Sequence, residues 1–449
     1  MSICLDENVI ILGMVGLPAR GKSYTSRKLC RFLEWIGYKP KIFNVGNYRR
    51  NILGVNIDFD LFFDPKNNEA IKSRDECALE ALKDIKKHIN IKEINIAILD
   101  ATNTTINRRE LVKNYLKDNL NDVNYVLIWI ENICNISDII YKNIVETKLK
   151  SADYVNWSDK EKAIASFNNR IKLYEQVYET INQEKEGDYI KYIKVIDQGK
   201  KLITNNIYGY LESKLVSYLI NLHTGERSVY FTRHGESEYN LKNMIGGDCN
   251  LSEKGKKFAK VLAKYFENEF AINKKPKLYC STLKRAIETT QILIDNISLS
   301  SIKFPKEYTS QKMLDEICVG SRDSLTYDYI KNNFPKEYDE RKKDKLNYRY
   351  PRGESYMDII KRIEPMIYEI ERSQNPLIIV GHQAMLRCLY GYFNNTPIQN
   401  IPYIEIPLHT VIKFSPKDYG FFEERYYLNP TDSKITKLNL ISEVRMEDS

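Results

Sequence analysis

The sequence predicts two consecutive α/β units, residues 1–225 and 226–449, the first with a mainly parallel sheet. Three observations lead there. At 449 residues the chain exceeds what one core ordinarily holds. Its first half alternates short apolar runs with helix-periodic segments. A polar break at residues 223–227 then precedes a second alternation, whose motif chemistry differs.

Residues 9–15 are a continuous apolar run, the mark of a strand buried on both faces. A helical pattern follows through Leu29, Phe32, Leu33 and Ile36. Residues 41–45 read as a second strand, 70–89 as a long helix, and 94–99 as a third strand ending at Asp100. Residues 124–130 are a fourth strand, 136–145 and 166–181 are helical, 182–188 are a polar loop, and 191–196 are a strand. Beyond the break, 229–232 and 278–280 are strands, and 252–270 and 282–294 are helices. Residues 358–372 are helical, 376–380 are a strand, and the polar end 431–449 is expected to be loosely held.

A hydrophobic share of 43% is ample for packed cores. The net charge of +8 is spread out, without the Lys/Arg block of a nucleic-acid arm. The basic excess suits surface positions and pockets for phosphorylated small molecules. None of the eight cysteines forms a C-x-x-C pair, which argues against a zinc site, a redox site or a disulfide framework. The N-terminus lacks a signal-like pattern, and no early apolar run is long enough to span a bilayer. A reduced, soluble, cytoplasmic protein is the expectation.

Gly16-Leu-Pro-Ala-Arg-Gly-Lys-Ser23 has the pattern G-x-x-x-x-G-K-[ST] between a strand and a helix. There, backbone N–H groups and a helix N-terminus hold phosphate oxygens. Lys22 is expected to reach the β- and γ-phosphates, and Ser23 to ligate Mg²⁺. Asp100, at a strand end, is a second metal candidate, although such an Asp also serves as a helix cap. Arg49 and Arg108 follow strand ends, where ligands of open α/β sheets bind. Arg170 and Tyr174 lie four apart on one helix face.

In the second half, Arg233-His-Gly-Glu236 and Gly381-His382 each follow a strand, and hold two of only five histidines. A neutral imidazole can attack phosphorus and carry the phosphoryl group. Arg233, Arg285 and His382 would bracket the phosphoryl oxygens. A general acid is needed for the leaving oxygen, and from the residues alone Asp315 and Glu316 both stand open.

Together with Phe43-Asn-Val-Gly-Asn-Tyr-Arg-Arg50 and Asp100-Ala-Thr-Asn-Thr-Thr105, the first motif resembles the kinase half of the bifunctional 6-phosphofructo-2-kinase/fructose-2,6-bisphosphatase family. Ile245-Gly-Gly-Asp248, Arg349-Tyr-Pro-Arg-Gly-Glu-Ser-Tyr356 and Gly381-His-Gln-Ala-Met-Leu-Arg-Cys388 resemble its phosphatase half. The resemblance runs from about Val9 to about Asn429. It implies an N-terminal P-loop kinase domain and a C-terminal, phosphoglycerate-mutase-like histidine-phosphatase domain. One half would make fructose 2,6-bisphosphate from ATP and fructose 6-phosphate. The other would hydrolyse it through a phosphohistidine, which regulates glycolysis and gluconeogenesis.

The resemblance also implies roles. ATP, with Mg²⁺ on Ser23 and Asp100, would meet Gly16, Ala19, Arg20, Gly21, Lys22, Ser23, Asn143 and Lys148. Lys22, Asp100 and Lys148 would be catalytic, and Cys134 would lie near the nucleotide. Fructose 6-phosphate would meet Arg49, Arg74, Thr102, Arg108, Arg170 and Tyr174. In the other half His234, Glu316 and His382 would be catalytic, without a cofactor. Arg233, Asn240, Gly246, Arg285, Tyr327, Arg341, Lys345, Tyr356, Gln383 and Arg387 would hold the bisphosphate, with Arg341 and Lys345 on one helix face.

Small-molecule substrates and a homodimer are expected, with no nucleic-acid or membrane partner and no long regulatory tails. The chain departs from the family pattern at Ile106, at Cys318 in place of an Asp, and at Ser321-Arg-Asp-Ser324 in place of a more acidic stretch. The last two lie beside Glu316. Rival readings are an enzyme with one active half and a non-catalytic sugar-phosphate-binding regulator. A nucleic-acid end-processing enzyme would need a basic stripe with interleaved aromatics, which the sequence lacks.

Overall fold

In a computed structural model the apolar run at the start of the chain is β1 (Val9–Val15), inside a six-stranded sheet. The structure describes residues 8–55, 57–223, 225, 227–270, 275–297, 304–417, 420–438 and 443–444. Cys4, Thr224 and Glu226 lie outside them. The chain divides into two units between Leu222 and His223.

In the first unit, β2 (Pro40–Asn44), β3 (Ile96–Asp100), β1, β4 (Tyr125–Ile133) and β5 (Tyr192–Ile196) pair in parallel in that order. β6 (Lys201–Asn205) is antiparallel at the edge. Ile11, Leu12, Met14 and Val15 are fully buried, so β1 shows no alternation in the sequence. β3 and β2 lie on one side of β1 and β4 on the other. The carboxyl end of β1 is therefore a topological switch point, where such sheets hold ligands.

In the second unit, β7 (Val229–Arg233), β8 (Lys277–Cys280), β9 (Thr309–Ser310) and β10 (Leu377–Gly381) are parallel, with β10 between β7 and β8. β11 (Thr410–Lys417), β12 (Gly420–Leu428) and β13 (Ile435–Leu438) extend the sheet antiparallel from β7, and β14 (Glu443–Val444) also pairs with β12. The helix Glu253–Glu269 seats Phe258, Leu262 and Phe266 in a core with Tyr230, Leu278 and Ile378.

Several expectations need correction. The helix expected over 166–181 runs from Lys160 to Glu175, with Asp159 as its N-cap. Its expected end is instead drawn into loop: buried Glu131 accepts from Tyr178, Thr180 and the backbone N–H of Ile181. The loop at 182–188 contains a one-turn helix, Gln183–Glu186, capped by Asn182. The helix over 136–145 is Ser137–Asn143 followed by a π-turn, Ile144–Lys148. Residues 431–449 are not all loose, because β13 pairs with β12 and Ile435 rests on the core. Residues 439–442 and 445–449 of that tail lie outside the described ones. The hairpin β11–β12 and the helices Val45–Leu53, Phe59–Phe63 and Tyr210–Asn221 had no place in the sequence reading.

Candidate active sites

In the first unit the phosphate loop leaves β1 and enters the helix Lys22–Trp35. A Cβ on Gly16 would stand 2.5 Å from the Asn132 carbonyl oxygen, so only glycine fits beside β4. Ala19 and Gly21 also have positive φ, at 58° and 87°. Left-handed residues of this kind turn successive N–H groups toward a common point. Asn143 donates to the Ala19 carbonyl (3.0 Å), tying the helix before the π-turn to the loop.

Lys22 is buried, with its Nζ 2.7 Å from the Leu17 carbonyl oxygen. Burial lowers it to about 7; Lys148, Arg170 and Arg20 push the same way and Asp100 opposes. Lys148, on the π-turn, is lowered by burial as well, with Asp100 again opposing and Arg170, Arg27 and Arg50 adding. Lys22, Lys148 and Asp100 thus form one electrostatic group with Arg170. Asp100 is buried at the end of β3, and Asn44, from the end of β2, donates to its Oδ2 at 2.6 Å. Cys134 is buried just beyond β4, near Arg20.

The arginines expected around the acceptor are organised by Asp153. Arg49 Nη2 reaches its two oxygens at 2.6 and 2.7 Å, Arg50 lies at 3.4 Å and Arg170 at 3.9 Å. Arg170 also lies over the Phe63 ring at 3.9 Å, and that ring packs on Tyr174. Arg108 pairs with Asp75 and, with Arg49, faces Cys77. Arg74 donates to Ala70 within its own helix, and the Thr102 carbonyl accepts from Gly16. Asn44 and Asp153 were missed from the sequence, because neither carries a local pattern.

In the second unit, adjacent parallel strands place the two histidines together. Gly381 lies opposite Arg233, and His234 N–H donates to the Gly381 carbonyl at 2.9 Å. The two buried imidazoles lie 4.9 Å apart, centre to centre. A Cβ on Gly235 would stand 2.5 Å from the Gly255 carbonyl oxygen, so the motif glycine is required by packing. His234 is held well below the usual histidine range by burial and by Arg285 and Arg233. Its neutral ring donates from Nδ1 to the Gly235 carbonyl at 2.6 Å. That leaves the lone pair on Nε2, to which Arg285 Nε donates at 3.1 Å.

Arg285 also donates to the Gly247 carbonyl at 2.7 Å. Burial lowers Arg233 to about 10, with Glu316 opposing, and its Nε is buried without a partner. Glu316 Oε1 accepts from Ala384 N–H at 3.0 Å, beside His382. Asp315 faces elsewhere, accepting from Ser281 Oγ at 2.7 Å and from Thr282 N–H at 2.8 Å. His382 Nε2 lies 2.7 Å from that same Ser281 Oγ.

A second cationic group adjoins this centre. Arg387 donates to Tyr356 OH at 2.9 Å, and burial raises that phenol to about 12. Burial lowers Lys345 to about 8, helped by nearby Arg387 and Arg341. Arg341 and Lys345 do not share a helix face: the helix Pro335–Lys343 has ended, and Lys345 turns back to the Pro402 carbonyl at 2.9 Å. Arg341 lies over Tyr327. Gln383 opens the helix that follows His382. Gly246 sits at φ 72°, where a Cβ would strike Asp323. Asn240 engages its Oδ1 in capping its own short helix.

The family model described as 6-phosphofructo-2-kinase matches residues 3–226, and that of the histidine phosphatase superfamily (branch 1) matches 229–429. The 6-phosphofructo-2-kinase/fructose-2,6-bisphosphatase 4 of Macaca fascicularis is 42% identical over 427 residues, covering 95% of this chain and 87% of the relative. The form numbered 3 of Rattus norvegicus is 41% identical over 425 residues, covering 95% and 73%. The form numbered 1 of Mus musculus is 42% identical over 416 residues, covering 93% and 84%. With one family model matched before residue 227 and the other after it, and relatives matched across both, the chain belongs to the bifunctional 6-phosphofructo-2-kinase/fructose-2,6-bisphosphatase family.

Proposed function

We propose that the first unit transfers the γ-phosphoryl group of ATP to the 2-hydroxyl of fructose 6-phosphate, and that the second hydrolyses the resulting fructose 2,6-bisphosphate. One observation supports this reading: Asp100 closes β3 beside β1, and His234 and Gly381-His382 close β7 and β10, so in each unit the motif residues gather at the carboxyl ends of parallel strands.

In the kinase half the loop N–H groups hold the triphosphate, and Lys22 and Lys148 offset charge on the moving group. Arg49, Arg74, Arg108, Arg170, Thr102 and Tyr174 receive the sugar phosphate. Ser23 and the Asp100 carboxylate, which Asn44 orients, would hold Mg²⁺, an oxygen-ligand ion that is usually bound by one or two protein groups. Among the described residues no cluster of three or more His, Cys, Asp or Glu offers a full protein cage for a metal. When bound, Mg²⁺ would supply charge neutralisation across the phosphates.

In the phosphatase half His234 Nε2 attacks the 2-phosphoryl group and its bond to the sugar oxygen breaks. Glu316 gives that oxygen a proton, then takes one from the water that cleaves the phosphohistidine. Arg233, Arg285 and His382 surround the phosphoryl oxygens. Lys345, Arg341, Arg387 and Tyr356 receive the second phosphate, with Tyr327, Gln383, Asn240 and Gly246 completing the pocket. The substitution Glu316→Gln is expected to lower phosphatase turnover by about 10²–10⁴-fold and to leave the kinase unchanged. Unchanged hydrolysis would remove Glu316 from this role.

Among the described residues no helix is long and apolar enough to cross a membrane. A cytoplasmic homodimer completes the proposal, checked by cell fractionation and by a solution mass near twice that of one chain. The direct test is incubation with ATP, Mg²⁺ and fructose 6-phosphate. The 2,6-bisphosphate should rise to a plateau kept up by continuing ATP hydrolysis. Its absence in both the parent and His234→Ala would overturn the reading.

A further inference from the structure

Ser281, just past the end of β8, accepts at Oγ from Leu283 N–H at 3.1 Å and hydrogen-bonds in two further directions. Its Oγ lies 2.7 Å from Asp315 Oδ1 and 2.7 Å from His382 Nε2. A serine hydroxyl has one proton to give, and a carboxylate is only an acceptor. The serine proton therefore goes to Asp315. The other bond must then run from His382 Nε2–H to Ser281 Oγ. The second ring nitrogen of His382, Nδ1, is buried and has no partner. Asp315 is locked into this arrangement by Thr282, whose backbone N–H and hydroxyl both donate to it, at 2.8 and 2.7 Å.

We infer that Asp315, acting through Ser281, fixes His382 as its Nε2–H tautomer, and is thus a positioning residue of the phosphatase site. The consequence concerns the proton between His382 and its ligand. A neutral ring of this tautomer presents the Nδ1 lone pair, which repels a phosphoryl oxygen. A hydrogen bond forms there only with one proton between Nδ1 and that oxygen. The proton enters with a singly protonated phosphoryl group or from solvent, and it stays on the Nδ1–oxygen line without changing any bond to phosphorus.

The groups facing the ring oppose a second proton while no phosphate is bound. Burial, His234 and Arg233 after and at the end of β7, Arg285 from the helix Lys284–Asp295, and Arg362 from the helix Tyr356–Arg372 all hold His382 neutral. Glu316 stands beside it on Ala384, and Asp315 is the anion behind Ser281. The phosphoryl anion supplies the missing counter-charge. Hydrolysis should therefore fall as pH rises and the shared proton is lost.

Asp315→Ala separates this arrangement from simple structural support. Alanine offers the serine proton no acceptor, whereas an asparagine would keep one, because Thr282 N–H holds a carbonyl oxygen where Ser281 Oγ donates. With alanine the serine proton is then free for His382 Nε2, and His382 takes the Nδ1–H form, which donates to phosphate without an added proton. Histidine-labelled full-length protein, with His382 assigned by its loss in His382→Gln, would report the tautomer by ¹⁵N NMR. The expected result is Nε2–H in the parent and in Asp315→Asn, and a shift toward Nδ1–H in Asp315→Ala. The alkaline fall of fructose 2,6-bisphosphatase kcat/KM should move to higher pH in that variant. Ser281→Ala, which cuts the link, should also release the tautomer.

An Nδ1–H ring in the parent would overturn the inference. So would an Asp315→Ala protein whose tautomer and pH profile both match the parent's. The pH arm rests on the proposed phosphatase reaction; the NMR arm does not. A tautomer that shifts as expected in a protein that hydrolyses no sugar bisphosphate supports the role of Asp315 and sinks the proposed reaction instead.

Discussion

Replacing Lys22 by alanine is expected to lower kinase turnover by about 10²–10³-fold and to leave phosphatase turnover unchanged. The size follows from where the charge sits. Lys22 is buried among Lys148, Arg170 and Arg20, with Asp100 as the opposing charge. One carboxylate against that many cations leaves the setting short of negative charge until a triphosphate arrives. Its Nζ, parked on the Leu17 carbonyl at 2.7 Å, can then turn to the phosphate oxygens. Alanine removes a charged donor aimed at the moving group, and water in its place is a weaker, mobile substitute.

The same residue predicts a pH effect with a definite sign. Without nucleotide Lys22 is lowered to about 7, and bound phosphate stabilises the charged form and raises it again. Above pH about 7, binding must therefore take up a proton. The KM for ATP should rise as pH rises from about 7 toward the bound value. It should change little below about 7, where Lys22 is already charged. Lys22→Arg keeps its charge throughout and should lose this dependence. A parent KM that stays flat between about pH 6.5 and 8.5 would show that Lys22 is not the charge the nucleotide meets.

The second large effect is expected for His234→Ala: at least about a 10³-fold loss of phosphatase turnover, with the kinase intact. In the ATP and fructose 6-phosphate incubation the 2,6-bisphosphate should then climb without a plateau. Substrate labelled in its 2-phosphate should leave an acid-labile label on the parent protein and none on the variant. Burial, Arg285 and Arg233 hold His234 well below the ordinary histidine range. The nucleophile thus stays neutral across the ordinary histidine range, and kcat/KM should show no loss from its protonation there. A phosphoenzyme that still forms in His234→Ala would move the nucleophile to another residue.

The phosphate loop was legible because its whole logic is local. A buried strand, two glycines, Lys22 and the start of a helix lie within one short segment, and backbone geometry alone makes the cradle. His234 and His382 were legible as strand-end residues for the same reason. The acid was less so. Asp315 and Glu316 are neighbours in sequence, and only their partners separate them: Asp315 is taken up by Ser281 and Thr282, while Glu316 sits on Ala384 near Arg233. Lys345 shows the opposite error, since a four-residue spacing suggested a shared helix face and the helix had ended two residues before it. The helix expected to reach Ile181 failed through one distant residue, Glu131, whose buried carboxylate draws the segment's hydrogen bonds away from a helix.

Residue order alone thus carried the α/β class, the two-unit plan, the phosphate loop and the pair of strand-end histidines. Each depends on hydrophobic period or on neighbours within a turn or two of chain, so it is written in consecutive residues. Folding decided which distant groups meet. The parallel register of β7 and β10 set the two imidazoles 4.9 Å apart. Asp153 gathered Arg49 and Arg50 from one helix and Arg170 from another. Ser281 joined Asp315 to His382 across more than thirty residues on one side and one hundred on the other. Such contacts leave no periodic trace, because a hydrogen bond or ion pair constrains only the two groups it joins and not the residues between them.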